Sequence, residues 1–294
     1  MKQIYIVILT YNGFADTSAC LKSLPVLVDK SYRLHTIVVD NGSRSEELDK
    51  LKKFLLESKS KLNGCKIHLI ENGKNLGFAK GNNVGIRYAL GHGTDYVLIL
   101  NNDTSINDSF ITKLLMNNPD IIAPVIEFYA LDGTSIYDYG GKVNWWTGRT
   151  THVELTNNPI TQSTNKQLTE KIDYVSGCCM LVARRVFETI GLYDEDYFFY
   201  FEDVDFCTRA RKAGFRVEVA PTAKIFHRLS ASIGRWSMQA IRWNIISNFI
   251  FITKNLGWRR ITGYAYLAIL TAKIIRDRIN DNYNRNWRGA RRSV

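Results

Sequence analysis

The sequence predicts an α/β fold: a mostly parallel central sheet with helices on both faces, followed by a C-terminal helical extension. Three observations carry this expectation. Four apolar, β-branched runs in the first hundred residues each stop abruptly at polar residues. Helical patterns lie between those runs, and strand–helix alternation favours a parallel sheet covered on both faces. After residue 232 the strand signals cease and apolar residues recur at helical spacing.

Taken in order, Ile4 to Leu9 ends at Thr10-Tyr11-Asn12, Thr36 to Val39 at Asp40-Asn41-Gly42, Ile67 to Ile70 at Glu71-Asn72, and Tyr96 to Leu100 at Asn101-Asn102-Asp103. Helices are expected over Asp16 to Leu24, Glu46 to Leu56 and Gly81 to Leu90. Ligands of such sheets bind beyond the carboxyl ends of the strands, where Thr10, Asp40 and Asp103 all fall. Residues 128 to 172 are rich in Gly, Thr, Asn and Tyr with little periodicity, which suggests a loop or irregular hairpin that shapes a cleft. A strand is expected at Val175 to Val182, a short helix at Arg184 to Ile190, and a helix over Val204 to Ala213 that ends at Gly214. Val217 to Ala220 reads as a strand before Pro221, and Lys224 to Phe226 as another that delivers His227. Two amphipathic helices follow, one on Ile241, Ile245, Phe249, Ile252 and Leu256, the other on Ile261, Tyr264, Ala268, Ala272 and Ile275.

With 294 residues, 45% hydrophobic and 23% charged, the chain fills one large or two modest domains, and disorder and fibrous repeats are excluded. The net charge of +11 is uneven, because residues 233 to 294 hold 12 Lys/Arg against 2 Asp/Glu. Five cysteines (Cys20, Cys65, Cys178, Cys179, Cys207) without CxxC spacing argue against a disulfide framework or structural zinc, and fit a reducing cytosol. The N-terminal apolar run is too short for a signal-peptide core. The stretch Ile261 to Ile275 falls short of the roughly 18 to 20 residues that a spanning helix needs, so no transmembrane segment is expected.

Four constellations carry chemistry. Asp40 at a strand end can accept a hydrogen bond from the imide N–H of uracil or thymine, or it can cap a turn with Asn41 and Gly42. The glycines of Asn75-Leu76-Gly77-Phe78-Ala79-Lys80-Gly81-Asn82-Asn83 permit close backbone approach to a ribose or phosphate at a helix start, or simply make a turn and cap. The segment is neither a dinucleotide GxGxxG nor a P-loop. Asp103, with phosphate oxygens and water, suits Mg²⁺ or Mn²⁺, and His227 is a candidate nitrogen ligand; the alternatives are a helix N-cap and a structural histidine. Glu202-Asp203-Val204-Asp205 opens a helix after the aromatic run Tyr197 to Phe201. The positive helix end favours ionised carboxylates, an aromatic wall strengthens a base, and one of these acids is expected to be only a cap.

In their order, Val7 to Asn12, Val38 to Ser43, Asn75 to Ala79, Leu100 to Asp103, Ser176-Gly177 and Tyr200 to Asp205 resemble the inverting family 2 glycosyltransferases, most of all the bacterial rhamnosyltransferases. The resemblance covers residues 1 to 230 and implies a GT-A catalytic domain there, with 231 to 294 as a basic helical extension. It implies a dTDP- or UDP-linked sugar donor, a divalent cation (Mn²⁺ or Mg²⁺) and a saccharide acceptor. Thr10, Tyr11 and Asp40 match nucleoside positions, and Gly77 with its turn matches the ribose and phosphate segment. Asn12, Asn75, Phe78, Asn82 and Asn102 complete the expected nucleotide-sugar set. Asp103 matches the last acid of the DxD motif, His227 a metal-ligating histidine and Asp203 the catalytic base, with Glu202 next in line. The sequence departs from the pattern at Asn101, where many members have Asp, and at Asn82, where many have Arg.

The implied reaction needs a base and an electrostatic clamp on the leaving diphosphate, but no general acid. A glycosidase would need a second carboxylate as proton donor, which nothing in the sequence singles out. A nucleotidyltransferase would carry a Gly-rich, basic loop where Thr10-Tyr11-Asn12-Gly13-Phe14 stands. In the tail, Trp236, Trp243, Trp258 and Trp287 accompany Arg288, Arg291 and Arg292. That pattern suits an anionic membrane surface, or helices that pack on the catalytic domain or form a homodimer. No RNA-binding signature accompanies the charge, so nucleic acid is not an expected partner. These features lead to a cytoplasmic enzyme, peripheral on the inner face of the cell membrane, acting on a lipid-diphosphate-linked saccharide in cell-surface polysaccharide synthesis.

Overall fold

Strand β1 (Lys2–Thr10) is the spine of the sheet, and its Ile4, Ile6, Val7 and Ile8 are fully buried. Both faces of the strand are apolar because helices cover both, and each such side chain contributes about 1.5–3 kcal/mol on burial. The computed structural model describes residues 1–58, 66–106, 110–116, 118–130, 132–156, 172–228 and 237–290, with side chains to residue 278. β1 pairs in parallel with β2 (Tyr32–Asp40) and β4 (Tyr96–Asn101), and β2 with β3 (Lys66–Glu71). The connecting helices are α1 (Phe14–Ser23), α2 (Ser45–Glu57) and α3 (Phe78–Gly91). The order β3-β2-β1-β4 reverses direction at β1, so right-handed crossovers set α1 and α2 on one face and α3 on the other. A crevice opens at that switch point.

Beyond β4 the sheet is mixed. After β5 (Thr104–Ser105) and α4 (Phe110–Leu115), β6 (Ile121–Tyr129) leads into a hairpin of β7 (Ser135–Val143) and β8 (Thr150–Thr156). β9 (Cys179–Ala183) lies antiparallel between β4 and β6, and β10 (Val217–His227) runs parallel to β6 and antiparallel to β5. The parallel part is therefore mainly the N-terminal half. The irregular hairpin expected within 128 to 172 is β7–β8, and residues 157–171 lie outside the described ones. β6 escaped the sequence reading because Pro124 interrupts its apolar run.

Several expected boundaries move, two of them for a visible structural reason. The strand expected from Val175 begins at Cys179, because residues 175–178 turn away to bring Gly177 against Asp203. The two strands expected on either side of Pro221 are one, β10, with a bulge between Ala220 and Lys224 where proline cannot donate to the ladder.

Helices α5 (Arg184–Ile190) and α6 (Glu202–Lys212) cover the second half, and α7 (Met238–Asn255) and α8 (Arg260–Ala290) close the chain. α7 shares the core of the preceding residues across the boundary expected at 230. Phe251 and Ile252 are fully buried, Trp243 stacks on Phe198 at 4.3 Å, and Ser247 Oγ donates to the Phe199 carbonyl at 2.8 Å. Asn248 donates to the Gly148 carbonyl at 2.9 Å. The buried face is thus Ala240, Ser247, Asn248, Phe251 and Ile252, while Phe249 is exposed. Polar residues enter this face because the loops beneath have carbonyls to satisfy. α8 lays Gly263, Tyr264 and Leu267 on α7 and leaves Ile261, Ala268, Ala272 and Ile275 exposed. Among the described residues no helix is long and apolar enough to cross a membrane.

Candidate active site

Thr10 and Asp40 end β1 and β2 as register partners, next to the β1–β4 reversal. Asp40 is 1% exposed and its two oxygens differ. Oδ2 accepts the backbone N–H groups of Gly42 and Ser43, both at 3.1 Å. Oδ1 is buried with no hydrogen-bond partner among the described residues. One oxygen of this carboxylate caps the turn, and the other is buried away from it. Leaving a carboxylate oxygen dry is costly, so the arrangement favours an occupant that donates.

Asn41 ties this strand end to the loop before α3. Its Nδ2 donates to Asn75 Oδ1 (3.0 Å) and the Gly77 carbonyl (3.1 Å), and its Oδ1 accepts from Asn72 Nδ2 and Leu76 N, each at 3.1 Å. Asn75 Oδ1 also accepts from Gly77 N at 2.9 Å. Gly77 has φ +81°, and a Cβ there would stand 2.5 Å from the Phe198 carbonyl oxygen, which accepts from Phe78 N at 2.7 Å. Asn82, one turn into α3, is buried and donates to the Phe78 carbonyl at 3.0 Å, and its Oδ1 has no partner among the described residues.

Other expected nucleotide residues brace the scaffold. Asn102 Nδ2 donates to Thr17 Oγ1 at 3.0 Å, and that hydroxyl donates to Thr10 Oγ1 at 2.8 Å. Asn12, at φ +51°, accepts from Arg44 N and donates its own N–H to Ser43 Oγ, both at 2.8 Å. Tyr11, 45% exposed, is left on the open side.

The short β5 strand brings Asp103 and His227 together across 124 residues. Its register sets His227 opposite Thr104, and Nε2 lies 3.0 Å from Asp103 Oδ1. Burial opposes charge on His227, but Cys178 and Asp103 outweigh it and raise the imidazole pKa. Burial holds the Cys178 thiol itself neutral, so Asp103 is the charge that matters. Once His227 gives up its proton, one Asp103 oxygen and the imidazole nitrogen would suit a hard divalent cation completed by substrate and water. Among the described residues no group of three or more His, Cys, Asp or Glu is placed to hold a metal.

Asp203 lies across the loop from Phe78. Its Oδ2 accepts from Gly177 N and its Oδ1 from Val204 N, both at 2.8 Å. Gly177 stands between the two: a Cβ there would lie 3.4 Å from Asp203 Cβ and 3.6 Å from the Phe78 ring. Tyr200 and Phe201, at φ +71° and +67°, make two successive left-handed residues just before α6. Such strain persists only where packing enforces it, here through Phe201 against Phe251 at 5.5 Å. Glu202 is buried and its Oε2 has no partner among the described residues. Burial and the neighbouring Asp203 push its pKa well above the glutamate range. At Glu202 desolvation thus works against the ionising influence of the helix end. Burial also raises Asp203, but two backbone donors and His152 oppose it.

Residues 5–191 match the family described as Glycosyl transferase family 2. The chain belongs to glycosyl transferase family 2. It is 30% identical over 232 residues to dTDP-rhamnosyl transferase RfbF of Shigella flexneri, covering 77% of this chain and 69% of that protein. It is 37% identical over 90 residues to an N-acetylglucosaminyl-diphospho-decaprenol L-rhamnosyltransferase of Mycobacterium tuberculosis, 30% of this chain and 29% of that one. The structure of GalNAc-T7 with UDP, GalNAc and Mn²⁺ superposes with TM-score 0.61 at 16% identity, covering 86% of this chain and half of the other. This family 2 member thus has the GT-A fold and stands close to the family's rhamnosyltransferases.

Two residues without an assigned role in the sequence reading matter in the site. Asn41 joins the Asp40 turn to the Gly77 loop, and Gly177 joins that loop to Asp203. Both stood inside recognised motifs, but a hydrogen-bonding hub carries no mark in a linear sequence.

Proposed function

We propose that the chain transfers L-rhamnose from dTDP-rhamnose, with inversion, to a hydroxyl of a saccharide acceptor in cell-surface polysaccharide synthesis. The observation that carries the donor reading is Asp40, one oxygen used by its turn and the other buried and unpaired, which suits the imide N–H of thymine or uracil. Thymine in preference to uracil follows from similarity to RfbF. A UDP-sugar donor is the second reading, since Asp40 addresses the imide that both bases share.

In this reading Asp40 holds the base and Tyr11 lies beside it. Thr10, Asn12, Asn75 and Asn102 keep the strand ends in place, and Gly77, Phe78 and Asn82 line the ribose and diphosphate. Asp203 removes the proton from the acceptor hydroxyl as its oxygen attacks the anomeric carbon opposite the diphosphate. Glu202 beside it, whose proton affinity is raised by burial and by Asp203, is the second acid of the pair. Asp103 and His227 would hold Mn²⁺ or Mg²⁺, whose charge offsets that of the leaving diphosphate when bound.

Similarity to the mycobacterial enzyme supports a lipid-diphosphate-linked acceptor. The catalytic unit of residues 1–230 and the basic extension 231–294 would then work together at the cytoplasmic face of the membrane. Trp258, 69% exposed, meets exposed Trp146 at 5.4 Å, and the Arg259 guanidinium lies 4.9 Å from the Trp146 ring and 5.7 Å from that of Trp258. Exposed aromatics with a cation suit an anionic interface. Sedimentation of the full chain with anionic vesicles, lost in Trp258→Ala/Arg259→Glu, tests this. Unchanged sedimentation removes the membrane reading, and concentration-dependent self-association would assign the α8 face to a dimer.

Calorimetry with UDP, dTDP, GDP and their sugar conjugates, with and without Mn²⁺, tests the donor. Preferred, metal-strengthened binding of dTDP-rhamnose is expected. Preference for a UDP-sugar changes the product, and absence of binding to all of them overturns the reading.

A further inference from the structure

The β7–β8 hairpin carries a pair of side chains that the donor site does not use. His152 Nδ1 lies 2.8 Å from Asp138 Oδ2, and Asp138 Oδ1 accepts from Gly140 N at 2.8 Å. The Asp138 side chain is 8% exposed and that of His152 42%. A buried carboxylate with both oxygens engaged therefore anchors an imidazole that is open to solvent. His152 Nε2 makes no hydrogen bond among the described residues.

The backbone around the pair is built to aim it. The register of β7 against β8 shifts between Asp138 and Gly141, a bulge of the kind that redirects a side chain beside an active site. Gly140 has φ +90°, and a Cβ on Gly141 would stand 2.4 Å from the Tyr174 hydroxyl oxygen. Tyr174 fills that space and presents its ring edge-on to His152 at 5.7 Å. Three residues further along, Gly177 donates to Asp203. His152 and Asp203 are near enough for each charge to act on the other. The charged or titratable groups around His152 are Asp138 on β7, Glu154 on β8, Asp203 on α6 and Tyr174 before β9. Burial lowers the imidazole's proton affinity, but the Asp138 hydrogen bond and these acids reverse the sign.

Resting on the glycosyltransferase reading above, we propose that His152, anchored by Asp138, is a positioning residue for the acceptor: Nε2–H donates to a saccharide oxygen beside the attacking hydroxyl. His152 keeps its proton throughout; the acceptor's proton goes to Asp203. The ligand class is a polyhydroxyl acceptor, because a single directional donor on a half-exposed ring suits a sugar oxygen.

The test uses the full chain and three variants, His152→Ala, His152→Gln and Asp138→Asn, with acceptor KM, donor Kd by calorimetry and the pH dependence of kcat/KM as readouts. His152→Ala is expected to raise acceptor KM about tenfold or more while donor Kd holds, the loss of one charge-assisted hydrogen bond. His152→Gln retains a donor and restores much of the acceptor KM, yet moves the acid limb of kcat/KM to higher pH because the cation is gone. Asp138→Asn is expected to follow His152→Ala. If the alanine variant does not fold, the acid-limb shift of the glutamine variant decides. An unchanged acceptor KM and an unchanged acid limb in folded variants would overturn the inference, as would a loss of donor affinity, which would assign the pair to the donor side. Failure of the wild type to bind any nucleotide or transfer any sugar would instead overturn the functional reading beneath it.

Discussion

Glu202 and Asp203 are neighbours in the first turn of α6, and the Gly177 and Val204 backbones reach the carboxylate of Asp203. Gly177 N and Val204 N donate to the two oxygens of Asp203 at 2.8 Å, whereas Glu202 Oε2 is buried without a partner among the described residues. Two adjacent carboxyls thus sit in different surroundings, the condition in which a pair of acids can differ in proton affinity.

The first prediction concerns catalysis. Asp203→Asn should retain donor affinity and lose about 10²–10⁴-fold in turnover, the usual share of a general base. Glu202→Gln, isosteric with a protonated glutamate, should stay within a few-fold of wild type. Steady-state kinetics on both variants checks the assignment, and the opposite ranking would exchange the roles. Because burial raises the Asp203 pKa from its ordinary 3.8, the acid limb of kcat/KM should lie above that of a free aspartate, and activity should fall as pH drops through it.

A second prediction follows for stability. The folded-state pKa of Glu202 is raised, chiefly by burial and then by Asp203, so the folded chain binds this proton more tightly than the unfolded one. Its contribution is full below the ordinary glutamate pKa near 4.5 and is lost as pH rises through the folded value. Glu202→Gln removes that loss. Its thermal midpoint should match wild type at about pH 4 and exceed it increasingly toward about pH 9. A difference independent of pH in thermal melts would contradict the assignment.

Base recognition rests on one oxygen. In Asp40→Asn the remaining carbonyl can cap the Gly42–Ser43 turn, and the amide then meets the imide N–H donor to donor. Binding of dTDP or UDP should weaken about 10- to 100-fold, the worth of a charge-assisted hydrogen bond and of the repulsion that replaces it. Calorimetry against GDP as well shows whether the loss is specific to the imide bases.

Gly77 holds the donor loop against the aromatic run. In Gly77→Ala a Cβ would meet the Phe198 carbonyl oxygen at 2.5 Å, with φ at +81°. The variant should lose about 1–3 kcal/mol of stability. It should also bind donor more weakly, because the 75–78 loop and Phe198 must separate. Denaturant unfolding and donor calorimetry on the same preparation measure both, and an unperturbed variant would show that the close approach is dispensable.

Much of this protein is legible in the linear sequence because its determinants are local. Ile4 to Leu9 alternates with nothing and reads as a strand buried on both faces, and polar residues at each strand end mark the side on which ligands bind. The chemistry of Asp40, Asp103 and Asp203 travels with short motifs, so family and candidate site can be read together. Other features depend on contacts between distant segments. The pairing of β5 with β10 brings His227 to Asp103, and a bulge in a hairpin without periodicity aims His152. The buried face of α7 is set by the carbonyls of Phe199 and Gly148 that it must satisfy. Glu202 and Asp203 come to differ because the Gly177 and Val204 N–H groups reach Asp203, while Glu202 Oε2 is buried with no partner among the described residues. Local spacing determines which residues can do chemistry, while desolvation and long-range hydrogen bonding, which exist only once the chain has closed on itself, decide which of them do.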